Sequence, residues 1–193
     1  IDNAVSQKPK GIVITLPDAA ALGKSVKAAI AAGIPVISMN SGSDDYASLG
    51  ISAHVGQTEF EAGVGGGQKM KAAGGKKALC VNHEVGNVAL DRRCAGFKKG
   101  FGGSVDILGT SNDPTEIQKA VAAKLGGGYD TILTLGAGLS GEAALKALEA
   151  AGKVGDVRLG TFDMSPNMLK AAAAGKVEFL IDQQQYLQGY LPI

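Results

Sequence analysis

One unit recurs about eight times along this chain: a short apolar run, a polar or glycine-rich turn, then an alanine-rich stretch of helical period. The apolar runs are 11–16, 34–39, 52–56, 78–83, 105–109, 131–135, 157–162 and 179–181. Between most of them lie 10–17 residues of helical period. Strands alternating with helices of that length force parallel pairing, because each crossover must return the chain to the start of a neighbouring strand. In an open parallel sheet, ligands bind beyond the carboxyl ends of the strands. The residues that follow each run are therefore the ones to inspect.

The pattern fills 193 residues, room for one ordinary domain or two small lobes. With 45% hydrophobic and 19% charged residues the chain can build a core, which excludes wholesale disorder. The net charge is +1 and the lysines are scattered at helix ends, which excludes a nucleic-acid surface. No apolar stretch approaches the ~18 residues of a membrane span. Residues 1–10 read as the middle of a helix, without a leader or start Met, and 190–193 stop without a cap. The expectation is an internal fragment or a chain with missing ends, so the lack of a leader says nothing about compartment. Cys80 falls in a strand and Cys94 in the following helix. They could pair across a strand–helix contact or lie as two small buried hydrophobes, and sequence leaves both open.

The organisation expected is a partial N-terminal lobe at 1–57, a C-terminal lobe at 58–181 and a crossing back at 182–193. The first holds two strand–helix units and a strand. Asp18 is the N-cap of its helix and Gly33 the stop. The second is a five-strand parallel unit with helices at 58–73, 87–101, 114–125, 139–151 and 165–174. Pro114 and Pro166 open two of these behind Asp113 and Ser165 caps.

Gly136-Ala-Gly-Leu-Ser-Gly141 is a literal G-x-G-x-x-G after a strand, the pattern that seats a pyrophosphate at a helix N-terminus. It stands in the third strand–helix unit of its lobe rather than the first, and so many glycines make a chance match unsurprising. An NAD-dependent enzyme stays open as an alternative. The polar residues that end strands form a second set: Asn40 and Ser41, then His83, Glu84 and Asn87 with Arg93 one helix further on, Asp113, Asp163, and Asp182 with Gln183. Amide, guanidinium and carboxylate groups together suit a polyhydroxylated ligand, whose hydroxyls both donate and accept. Singly, such residues are caps and turn formers. Asp113 reads as a cap only. His54 reads as structural, and Cys80 and His83 point to opposite strand faces, so no metal is expected. Gly63–Gly67 with Lys69 lacks the spacing of a phosphate loop. Tyr186 and Tyr190, at i and i+4, read as helix packing.

At these residues the chain resembles the periplasmic sugar-binding proteins of ABC transporters, of the ribose-binding type. The resemblance covers nearly the whole chain. It is carried by Lys10-Gly-Ile-Val-Ile14, Ala32-Gly-Ile-Pro-Val36, Arg93-Cys-Ala-Gly-Phe97, Ala144-Leu-Lys-Ala-Leu-Glu-Ala-Ala-Gly152, Gly160-Thr-Phe-Asp163 and Ile181-Asp-Gln-Gln-Gln-Tyr-Leu-Gln-Gly-Tyr190. It implies an α/β fold of two Rossmann-like lobes with parallel sheets, the type I periplasmic binding protein fold. The N-terminal lobe would be incomplete, lacking an opening strand–helix–strand, and the last strand and helix would be missing too.

The resemblance also implies a sugar or polyol clamped between the lobes by hinge closure. Arg93 would bond sugar hydroxyls, Asp163 would accept from two of them, and Gln183 would touch the ligand at the hinge. Asn40 and Ser41 match a strand end where many members carry an Asp-Arg pair, Ala137 a position that is often Asn, and Asn87 completes the set. These departures leave the ligand unnamed. The partners implied are a membrane permease and a chemoreceptor. The location implied is the periplasm, with a signal peptide upstream of the fragment, for a monomer that is peripheral to the membrane and carries no cofactor, no metal, no nucleic acid and no catalytic residue. The effector domain of a sugar-responsive repressor is the other alternative.

Overall fold

A computed structural model describes residues 1–193, which divide into two compact units. Unit 1 comprises Ile1–Thr58, Asn87–Ala89 and Gln183–Ile193; unit 2 comprises Glu59–Gly86 and Leu90–Asp182. Asn87 therefore belongs to unit 1, although the strand and helix that flank it are mostly in unit 2.

Unit 1 opens with α1 (Asp2–Ser6), a single short helix where the sequence pattern suggested residues 1–10. There follow β1 (Ile12–Ile14), α2 (Ala19–Ala31), β2 (Val36–Asn40), a 3-10 turn at Ala47–Leu49 and β3 (Ala53–Gly56). The strands pair in parallel in the order β1-β2-β3. Asp18 caps α2 by accepting from the Ala21 N–H at 2.9 Å. The chain leaves the helix through Gly33 at φ 79°, a left-handed value that a side chain would oppose. The core is small: Leu16, Val26, Ala29, Val36 and Ile51.

Unit 2 runs α3 (Glu59–Ala72), β4 (Lys77–Asn82), α4 (Val88–Phe101), β5 (Ser104–Gly109), α5 (Pro114–Lys124), β6 (Thr131–Thr134), α6 (Glu142–Ala150), β7 (Arg158–Phe162), α7 (Pro166–Ala173) and β8 (Phe179–Ile181). All pairs are parallel and the order is β5-β4-β6-β7-β8. The order reverses between β4 and β6, which makes that gap the topological switch point. One core joins Leu79, Val81, Ile132 and Leu159 of the sheet to Ile117, Leu148 and Met168 of the helices. Helix α6 begins three residues later than the sequence pattern placed it, because Ala137–Gly141 forms a wider π-type turn. The last element, α8 (Gln185–Tyr190), belongs to unit 1. Its Tyr186 and Tyr190 stack at 6.0 Å, but both rings are exposed, so they pack on each other and not into a core.

Two features of unit 2 fix α4. Cys80 and Cys94 form a disulfide between β4 and α4, with Cα atoms 5.8 Å apart, which settles the pairing that sequence left open. Helices α3 and α4 also touch backbone to backbone. A Cβ at Gly96 would lie 2.0 Å from the Phe60 carbonyl oxygen, one at Gly100 2.0 Å from that of Val64, and one at Gly63 2.3 Å from that of Arg93. The glycines at 63 and 67 are thus a packing stripe matched by 96 and 100, and this close approach sets what lies one turn before them.

Candidate functional site

In unit 2 that turn holds a charged pair. Arg93, on α4, is 3% exposed and Glu59, at the start of α3, is 4% exposed. Arg93 Nε donates to Glu59 Oε2 at 2.6 Å and Nη2 donates to Oε1 at 3.0 Å, a bidentate fork. Nη1 donates to the Leu135 carbonyl oxygen, just past β6, at 3.0 Å. The guanidinium carbon lies 4.5 Å from the centroid of the Phe162 ring, which supports the plane from one face. The guanidinium is therefore anchored to β6 and β7 at their carboxyl ends, with its orientation set by Glu59.

Asp163 follows β7 directly. Its backbone is left-handed (φ 68°) and its N–H donates to the Ile181 carbonyl oxygen at 2.8 Å. Asp tolerates that conformation better than most residues, and such positions gather at functional sites. His83 follows β4. Its Nδ1 lies 3.2 Å from Ser140 Oγ, whose hydroxyl donates to the Gly136 carbonyl oxygen at 3.0 Å. With that hydroxyl proton committed, Nδ1–H is the donor to Ser140, and Nε2 becomes the ring's acceptor. Burial pushes the His83 imidazole below its ordinary value of 6.5; Glu84 and Asp163 pull it up, and Arg93 pushes it further down. A Cβ on Gly136 would come within 3.1 Å of the imidazole and 3.7 Å of an Asp163 carboxylate oxygen. Glycine there leaves room for both groups at the switch point.

The N–H groups of Ser140 and Gly141 both bond the Gly136 carbonyl oxygen, at 3.1 and 2.8 Å, and close the π-type turn. Ala137, in the same turn, is 1% exposed and packed in the hydrophobic core.

In unit 1 the polar residues form a separate group. Asn40 ends β2 in a left-handed conformation (φ 61°), and its Nδ2 donates to Gln188 Oε1 at 3.2 Å and to Gln183 Oε1 at 3.5 Å. Gln188 Nε2 in turn donates to the Gln183 carbonyl oxygen at 2.7 Å. The strand end and the final segment are thus tied by amides. Ser41 is buried and its carbonyl oxygen accepts from the Leu16 N–H at 3.1 Å. Asn87 Oδ1 accepts from the Ala89 N–H at 3.0 Å, which caps the start of α4. Ser38 Oγ and His54 Nδ1 bond at 2.9 Å across β2 and β3, a structural role for His54.

Glu59, Ser140 and Gln188 stand in these networks although the sequence expectation did not include them. For Glu59 a signal existed. Glu59 precedes Gly63 and Gly67 at helical spacing, as Arg93 precedes Gly96 and Gly100. Two such stripes that pack together bring the preceding acid and base face to face. No group of three or more His, Cys, Asp or Glu side chains is placed to hold a metal ion, and no helix is long and apolar enough to cross a membrane.

A doubly wound five-strand parallel unit with a polar cluster at its switch point, and a second, smaller parallel unit, define the class of two-unit α/β proteins with parallel sheets. The chain belongs to the periplasmic binding protein domain family, whose model matches residues 1–193. It is 35% identical to a carbohydrate transporter from Acidothermus cellulolyticus 11B, solved in complex with myo-inositol. That likeness covers 98% of this chain and 66% of that one at a TM-score of 0.93. A periplasmic sugar-binding protein of an ABC transporter from Legionella pneumophila is 26% identical, over 99% of this chain and 73% of that one, at a TM-score of 0.85. The xylose/arabinose-binding protein XylF of Sulfolobus acidocaldarius is 25% identical over 210 residues. The alignment takes in all of this chain but 52% of XylF, so the chain spans about half the length of that curated relative.

Proposed function

We propose that this chain belongs to the solute-binding component of an ABC transporter and binds a neutral sugar or cyclic polyol. The observation that carries the reading is the anchored Arg93 beside Asp163 at the carboxyl edge of β6 and β7. A guanidinium donates only and a carboxylate accepts only, so the pair complements both halves of a vicinal diol. His83 Nε2 adds an acceptor. Asn40, Ser41, Asn87 and Gln183 are the groups we assign from unit 1. The likeness to the myo-inositol-bound protein supports a polyol, and that to XylF a pentose.

Binding is coupled to hinge closure, and the closed form is what a permease recognises. A ligand drives that shift only by its preference for the closed state. No bond is made or broken. The chain passes between its units at three short junctions, near residues 58, 86–90 and 182. Two of them carry left-handed residues, Gly86 (φ 92°) and Gln184 (φ 56°), of the kind that absorb backbone rotation. The Cys80–Cys94 disulfide fits an oxidising compartment, in keeping with the periplasm.

Calorimetric titration of the protein with myo-inositol, xylose, arabinose and NADH tests the reading. Binding of one of the first three, abolished by Asp163→Ala and retained by Gly138→Val, is the expected result. Binding of NADH alone would replace it with the enzyme alternative.

A further inference from the structure

Three side-chain amides of unit 1 meet where β2 ends and the final segment begins, and a single backbone carbonyl decides how they are turned. The chain enters α8 through Gln184, whose backbone is left-handed (φ 56°), and the Gln188 N–H closes the first turn on the Gln184 carbonyl oxygen at 3.0 Å. That turn carries the Gln188 side chain, buried at 4% exposure, back to residue 183. A backbone carbonyl only accepts, so the Gln188 atom 2.7 Å from the Gln183 oxygen is Nε2, and the other end of that amide is Oε1. Oε1 also only accepts, so the Asn40 atom 3.2 Å from it is Nδ2. Asn40 Nδ2 donates to Gln183 Oε1 as well, at 3.5 Å. Turning either amide over would set oxygen against oxygen. The donors of Asn40 are thus committed inside unit 1. Its Oδ1 takes no hydrogen bond from the protein and, on a half-buried residue, keeps contact with solvent.

We propose that Gln188 is a positioning residue that holds the Asn40 amide with its oxygen outward, so that unit 1 offers the ligand an acceptor at the end of β2 and takes there a hydroxyl that donates. The inference rests on the sugar or polyol reading above and adds to it the direction of one hydrogen bond. An unrestrained asparagine can turn either edge of its amide to a ligand, and so can donate to an ether oxygen as well as accept from a hydroxyl. Held with Oδ1 outward it only accepts. A ligand group that cannot donate then leaves Oδ1 desolvated and unpaired, which is how a polar site rejects an analogue. The restraint also orders the side chain before the ligand arrives, which lowers the cost of binding. Gln188 does all of this through Asn40, without touching the ligand.

The test is calorimetric titration of the protein with myo-inositol, xylose and arabinose, then with the monodeoxy and monofluoro analogues of whichever binds. Asn40→Ala marks the hydroxyl that Asn40 meets: its removal should weaken wild type by about tenfold and cost the variant nothing further. Fluorine cannot donate, so at that position the fluoro analogue is expected to bind wild type no better than the deoxy one. A fluoro analogue that recovers the loss would show Asn40 donating and would overturn the inference. Gln188→Met keeps the length of the side chain and deletes the amide. It should weaken binding of the parent sugar or polyol by about tenfold in wild type, but by less than about twofold in the Asn40→Ala background. A merely structural Gln188 would cost the same in both backgrounds, which would overturn the inference too. Should Gln188→Met fail to fold, the analogue comparison decides alone. Unchanged binding of every probe by Asn40→Ala would overturn the inference and leave the sugar reading standing. No binding of myo-inositol, xylose or arabinose by wild type would remove both.

Discussion

Unit 2 and unit 1 are built from the same strand–helix repeat, yet they hold themselves together differently. Unit 2 has five strands covered by helices, with a core that runs from Leu79 to Val177. It adds a disulfide, a backbone-to-backbone helix contact and a buried ion pair. Unit 1 has three strands and a core of five buried residues, and Val13 on its edge strand is 41% exposed. Burial grows faster than surface as a unit enlarges, so the smaller one is the more marginal. Under the proposed function this asymmetry would serve binding: the larger unit would hold Arg93 and Asp163 in place while the smaller one adjusts.

The comparison would be broken most sharply at the ion pair. Arg93→Ala strands Glu59 without its partner in a buried position. It should cost unit 2 about 3–5 kcal/mol in urea unfolding and leave the unit 1 transition where it was. An unmoved unit 2 transition would show that the pair is not sequestered from water. Next comes the disulfide, whose removal by Cys80→Ala with Cys94→Ala should cost about 3 kcal/mol, since it closes a loop of roughly 15 residues. The same urea curves report it, and a loss shared by both units would mean that they unfold as one.

Hydrogen exchange sharpens the contrast without a mutation. Amides of β1 should exchange much faster than those of β6, whose Thr131–Thr134 are all buried. Equal protection would put the units on one footing.

Acid should narrow the gap by a smaller amount. Glu142 titrates below its ordinary 4.5 because Asn167 and Ser165 donate to it. For Asp130, burial alone would raise the value, but the N–H groups of Lys76 and Lys77 outweigh it and hold the carboxyl below 3.8. Both acids bind protons more weakly folded than unfolded, so their stabilisation is present above those ordinary values and is lost as pH falls through the folded ones. His83 acts in the same direction from pH 6.5 downward: the unfolded chain takes up a proton that the folded site resists. All three groups are in unit 2, so its thermal midpoint should fall toward that of unit 1 between about pH 6.5 and 3. A rise on acidification would contradict the burial of His83.

The repeat itself was legible because strand and helix periods differ and because Asp18, Asp113 and Ser165 announce helix starts; each of the three caps its helix. Strand ends marked Asn40 and Asp163 through residue type, and both take left-handed backbones, Asn40 as the last residue of β2 and Asp163 directly after β7. Residues 1–10 misled because Ile1 and Val5 share a face for only one turn. Glu59 escaped because its partner lies 34 residues away, and the matched glycine stripes that signal the pairing show only when the two helices are read together.

Local period and crossover length were enough to fix the alternation of strand and helix, and hence parallel sheets whose carboxyl ends are the place to look for a ligand. Tertiary structure alone decided the β5-β4-β6-β7-β8 order, the Cys80–Cys94 bond and the matching of Glu59 to Arg93. Each of those depends on which distant backbones approach closely enough to touch, and at α3 and α4 it is the missing side chains of Gly63, Gly67, Gly96 and Gly100 that let them.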